Sequence, residues 1–171
     1  MEIIFSEKNA TGIITLNRPK ALNALNIEMA KEFSDHQAVV LGISIDSEHT
    51  HAAWRSTPVA QGGIGDLNIP LLADVNRDIM SAYGVMNQGD PKVALRATTI
   101  IDPEGYVRIH QVNDLPIGRN PQEILRLVKA LQLHAEHGDV CPPNWNMGDA
   151  SLKPNKESLQ SYLSKEEISS E

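Results

Sequence analysis

The soft nucleophiles and nitrogen ligands of this chain are few: one cysteine, Cys141, and six histidines among 171 residues. A thiolate attacks peroxides and disulfides, and an oxidised sulfur condenses with a second thiol. A single cysteine excludes a disulfide within the chain and a cysteine-rich zinc site. His134, His137 and Cys141 place three nitrogen or sulfur donors close together in sequence. Zinc usually takes four ligands, and Gly138 should end the helix and turn Cys141 away, so we expect no metal there. His49 and His51 fall on different faces of one helix and read as surface residues. Gly62-Gly63-Ile64-Gly65 lacks both the Lys-Ser/Thr of a P-loop and the strand–Gly–helix setting of a dinucleotide site. It reads as a flexible loop, and no cofactor is expected.

Composition narrows the classes further. Acidic residues outnumber basic ones 22 to 15, a net charge of −7. That argues against general nucleic-acid binding and against docking on an anionic membrane. No apolar run approaches the ~18 residues of a membrane-spanning helix. The start, MEIIFSEKN, does not have the form of a secretory signal. At 41% hydrophobic residues the chain can bury one core of single-domain size.

The elements that must position Cys141 follow from pattern. Glu2–Ser6 and Gly12–Leu16 read as a hairpin stopped by Pro19, and Asn26 can cap a helix from Ile27 to about His36. Ala38–Ile45 is a near-continuous apolar run, the mark of a strand buried on both faces. Ser47 can cap a helix through Ser56. A strand at Ile69–Leu72 and a short helix at Asn76–Tyr83, closed by Gly84, come next. Ala94–Ile101 and Tyr106–Val112 flank Asp102-Pro103-Glu104-Gly105, a hairpin turn. Asn120-Pro121 opens a helix with an apolar stripe (Ile124, Leu127, Val128, Leu131, Leu133) that Gly138 ends. Beyond Cys141 the chain reads as an extended tail with a short helix near Glu157–Leu163. The alternation predicts an α/β three-layer sandwich with a mixed sheet.

Certain stretches then resemble a known family. VVLGISIDSEHTHAAW (39–54), GGIGDLNIPLLAD (62–74), LRATTIIDPEGYVRIHQVNDLPIGRNPQEILRLV (95–128) and HGDVCPPNWNMG (137–148) are similar to typical two-cysteine peroxiredoxins. These are the thioredoxin-fold thiol peroxidases that include the bacterial alkyl hydroperoxide reductase component. The resemblance spans residues 37–165, and it implies a thioredoxin-like fold. In the family a low-pKa peroxidatic cysteine is oxidised by peroxide to a sulfenic acid. A resolving cysteine of the partner subunit condenses with it, and thioredoxin or a similar dithiol protein reduces the disulfide. By resemblance Cys141 stands at the resolving position, and Arg96 matches the arginine beside the peroxidatic sulfur. Arg96 could equally be a strand arginine paired with a carboxylate. The resemblance also implies a cytoplasmic antioxidant role and a homodimer or larger ring. The tail Asn144–Leu163 would wrap a partner, burying Trp145, Leu152, Leu159 and Tyr162 by association.

One part departs from the pattern. The family's peroxidatic cysteine sits in a Pro-x3-Thr-x2-Cys motif ahead of the VVLGISID strand, and no cysteine precedes Cys141 here. Instead GIITLNRPKALNALNIEMA resembles the N-terminal hairpin and first helix of the crotonase superfamily, whose ALNAL stretch lines part of a coenzyme A site. The reading is a mosaic: a crotonase-like head over 1–36, a peroxiredoxin body over 37–140 and a C-terminal arm over 141–171. GIITL is expected to fill the sheet slot beside AVVLGISI, because an open slot would leave unpaired edges. Three readings of activity stay open. The chain is a peroxidase of the family, a non-catalytic subunit offering Cys141 to complete peroxiredoxin subunits, or a recombined product without an evolved role.

Overall fold

The computed structural model describes residues 11–16, 33–65 and 69–169, with backbone alone for 11–16 and 165–169. The expected strand Glu2–Ser6, the ALNAL stretch and the start of the helix at Ile27 lie outside the described residues. Two compact units divide between Pro121 and Gln122.

Among the described residues the first unit is built on a five-stranded mixed sheet. Its strands are β1 (Thr11–Leu16), β2 (Ala38–Ser44), β3 (Leu71–Ala73), β4 (Arg96–Ile101) and β5 (Val107–Asn113). Their spatial order is β3-β2-β1-β4-β5. β1 pairs in parallel with β2, Thr11 opposite Ala38 through Leu16 opposite Ile43. It pairs antiparallel with β4, Gly12 opposite Ile101. The GIITL segment therefore occupies the central slot, where both of its edges are hydrogen-bonded. β4 is buried from Ala97 to Ile101, whereas every residue of β5 is exposed or half-buried, as befits an edge strand.

Local chemistry explains the connections. Ser47 caps α1 (Glu48–Ser56), its side chain accepting from the Thr50 amide. The Asp74 carboxylate is buried and accepts from the amides of Ile79 and Met80, anchoring the short helix α2 (Asp78–Ala82). The hairpin between β4 and β5 closes on Asp102, which accepts from Gly105 and Tyr106, with Gly105 at φ 90. Ile43, Met80, Val85, Ala97 and Ile101 form a buried apolar cluster, with Leu41, Ile45, Leu72 and Tyr83 packed around it.

The second unit holds most of α3 (Pro121–His137) and all of α4 (Lys156–Ser169). Gly138, at φ 68, ends α3. The buried residues of α3 are Ile124, Leu125 and Val128, so the stripe is rotated from the expected one. α4 is longer than Glu157–Leu163. Asn155 caps its first turn by accepting from Ser158, and Leu, Gln, Lys and Glu carry the helix on.

Candidate functional site

Cys141 follows the end of α3 closely. Val140 pairs with Leu152 through two backbone hydrogen bonds of 2.7 and 2.9 Å, closing the chain between them into a loop. The thiol is half-buried, and its Sγ lies 3.9 Å from the Ala130 carbonyl of α3. Burial pushes the thiol pKa up, and the Asp139 carboxylate adds to this, while the Arg126 guanidinium pulls it down. Such a thiol is mostly protonated near neutrality and is a slow nucleophile toward peroxide.

Arg126 organises the loop. Its guanidinium grips the Glu123 carboxylate with two hydrogen bonds of 2.7 and 2.8 Å and donates to the Trp145 carbonyl at 2.9 Å. The Glu123 pair holds that carboxyl below its ordinary range. The spacing of Glu123 and Arg126 is visible in sequence. That the fork also reaches residue 145 and influences Cys141 is not, because it depends on the chain folding back.

One expectation for the tail needs correction. Trp145 is 2% exposed within its own chain, its indole N–H donating to the Asp149 carbonyl. It is buried without a partner subunit, and its backbone is held by the Pro142 carbonyl and by Arg126. Leu159 does remain exposed, and Leu152 and Tyr162 are half-buried. His134 is engaged through Nδ1 with the Asp139 carbonyl at 2.8 Å, while His137 lies beside Glu136. Among the described residues no three His, Cys, Asp or Glu side chains gather as a metal site.

Arg96 stands in the other unit, at the start of β4. Its Nε donates to the Leu115 carbonyl at 2.5 Å, and its Nη1 is buried without a hydrogen-bond partner. Arg119, which the sequence reading missed, is the second cation there. It donates to the Ala97 carbonyl, and burial, with Arg96 second, lowers its pKa to about 10. The two guanidiniums form a positive corner suited to a bound anion or thiolate.

His51 is not a surface residue. It is 6% exposed, and its Nε2 lies 2.7 Å from Ser44 Oγ on β2. Ser44 donates its own hydrogen to Asp46 at 2.9 Å, so the neutral imidazole must donate from Nε2. Its Nδ1 is then a buried acceptor without a partner. The 62–65 loop is also less free than expected. Trp54 donates to the Gly62 carbonyl, and Ile64 donates to the Trp54 carbonyl. At Gly63 a Cβ would come within 1.8 Å of the Thr57 carbonyl oxygen, so only glycine fits.

The mixed sheet and its helices define a thioredoxin-like α/β protein, and relatives place it further. The AhpC/TSA family profile matches residues 19–110, starting inside the segment read above as a crotonase-like head. The profile of the C-terminal domain of 1-Cys peroxiredoxin matches residues 130–165. Peroxiredoxin-2 of Bos taurus is 48% identical over 138 residues, covering 81% of this chain and 69% of that protein. A thioredoxin peroxidase of Trypanosoma brucei rhodesiense is 46% identical, covering 80% and 68%. Among solved structures, reduced 2-Cys peroxiredoxin of Plasmodium vivax superposes with a TM-score of 0.82 at 38% identity, covering 90% of this chain and 82% of that one. The chain belongs to the AhpC/TSA family, the peroxiredoxins.

Proposed function

We propose that this chain takes part in the thiol peroxidase reaction of its family by offering Cys141 as the resolving thiol. The observation that carries the reading is the state of Cys141: the chain's single thiol, half-buried, with its pKa raised by burial. That suits a group which waits for a sulfenic acid and does not attack peroxide itself. With no other cysteine in the chain, the sulfenic acid must stand on another subunit, a complete peroxiredoxin. The Cys141 sulfur attacks the sulfenic sulfur, an S–S bond forms, the S–O bond breaks and water leaves. A thioredoxin-like dithiol then reduces the disulfide, as the name of the trypanosomal relative suggests for its own cycle. Arg96 is carried over as the arginine beside the peroxidatic sulfur, and Arg119 joins it. In this chain the pair has no thiolate of its own to stabilise.

Assembly is part of the reading. Among the described strands β5 stands at the end of the sheet and exposes Val107 and Val112, which supports pairing with a second peroxiredoxin chain in a dimer or ring. The head, body and arm of the mosaic, and a cytoplasmic site of action, belong to the same proposal.

The second reading makes Cys141 the peroxide-attacking thiol, favoured only by Arg126 nearby. A coupled assay of the purified chain with thioredoxin and its reductase separates the two. The first reading predicts no peroxide consumption above that of Cys141→Ser. Turnover that vanishes in Cys141→Ser would establish the second.

A further inference from the structure

We infer that Lys153 is an electrostatic latch that keeps the Cys141 loop shut. Asp139 and Lys153 flank the neck of the loop, just outside the Val140–Leu152 pair. The Lys153 ammonium contacts the Asp139 carboxylate and also reaches the His137 carbonyl at the end of α3. Ser151 donates to the other carboxylate oxygen at 2.5 Å, and His134 binds the Asp139 carbonyl. The Asp139 side chain is 12% exposed, and Lys153 and Ser151 hold its carboxyl below the ordinary range. One carboxylate thus gathers both sides of the neck; Lys153 brings the compensating charge in direct contact, and His137 adds a weaker Coulombic pull.

Loss of that charge has two opposite consequences, which makes the idea testable. Without Lys153 the Asp139 carboxylate keeps only the Ser151 hydroxyl as a side-chain hydrogen-bond partner, so the neck loosens. Cys141, adjacent to Val140, then leaves the Ala130 carbonyl and becomes exposed. If the neck stayed shut, the uncompensated Asp139 would only raise the thiol pKa and slow its reactions. The latch therefore predicts a faster thiol, and simple electrostatics a slower one. The Lys153 side chain is 59% exposed, so the latch faces solvent and is open to any chemistry that neutralises an amine.

The test is the rate of Cys141 alkylation by iodoacetamide between pH 7 and 10, on the intact chain. It does not depend on Cys141 acting as a resolving thiol, so its failure and the failure of that reading are separate. Lys153→Met should react about fivefold faster at pH 8, as expected for loss of a modest local contact. Lys153→Arg should stay near the parent rate. Circular dichroism, and tryptophan emission in a Trp54→Phe background that leaves Trp145 as the emitter, establish that the helices and the burial of Trp145 survive. A Lys153→Met rate equal to or below the parent's would overturn the latch, as would a Lys153→Arg rate as fast as that of Lys153→Met.

Discussion

At the scale of single residues, His51 and Arg126 set the behaviour of their surroundings. Burial lowers the His51 pKa from its ordinary value of 6.5; Arg55 lowers it too, while Asp46 and Glu48 oppose the shift. The folded state therefore holds neutral His51 at pH values where the unfolded chain is already protonated. Its contribution to stability is complete above pH 6.5 and is lost as pH falls through the depressed folded value. Thermal melts should accordingly drop on the acid side of pH 6.5. His51→Gln keeps a donor to Ser44 but cannot titrate, so it should flatten that slope. An unchanged slope would contradict this role. Arg126 acts on the thiol with the sign of its charge. Arg126→Met should raise the apparent pKa of Cys141, read from the pH profile of alkylation, because the cation that favours the thiolate is gone. Neither role was legible in sequence. His51 lies on a helix whose other histidine, His49, is exposed, and only the packing of α1 on the sheet decides which is buried.

At the scale of elements, much more was legible, because caps and turns are local. Ser47 stands immediately before the expected helix, and the observed α1 ends at Ser56 as expected. The Asp102–Gly105 turn and the Gly138 stop likewise follow from the residues themselves. Ser47→Ala should lower stability by about 1 kcal/mol, measurable by urea unfolding. A deeper effect belongs to β4, where Ile100 is fully buried. Ile100→Ala should cost about 2–5 kcal/mol in the same measurement. What failed at this scale was the tail. Trp145 looked homeless because its indole is bonded by Asp149, further along the loop, and its carbonyl by Arg126 of α3, and neither contact shows in the local sequence. Apolar residues in a polar tail do not by themselves announce where they are buried.

At the scale of the whole molecule, the family was legible from long matched stretches, while the activity turns on what one chain contains. The sheet accepts β1 between β2 and β4, so the α/β fold stands with a single cysteine in the chain. A fold of this kind hosts the chemistry only where its reactive groups are present. Here one thiol is present, and its environment favours the protonated form. Under the proposed function this chain works beside a complete peroxiredoxin subunit. The most direct test mixes the two, adds one equivalent of peroxide and looks for a disulfide joining Cys141 to the partner's peroxidatic cysteine by mass spectrometry. That linkage is the expected result, reversed by thioredoxin and absent with Cys141→Ser. A peroxide-treated mixture in which Cys141 stays a free thiol, although both chains co-purify, would contradict it.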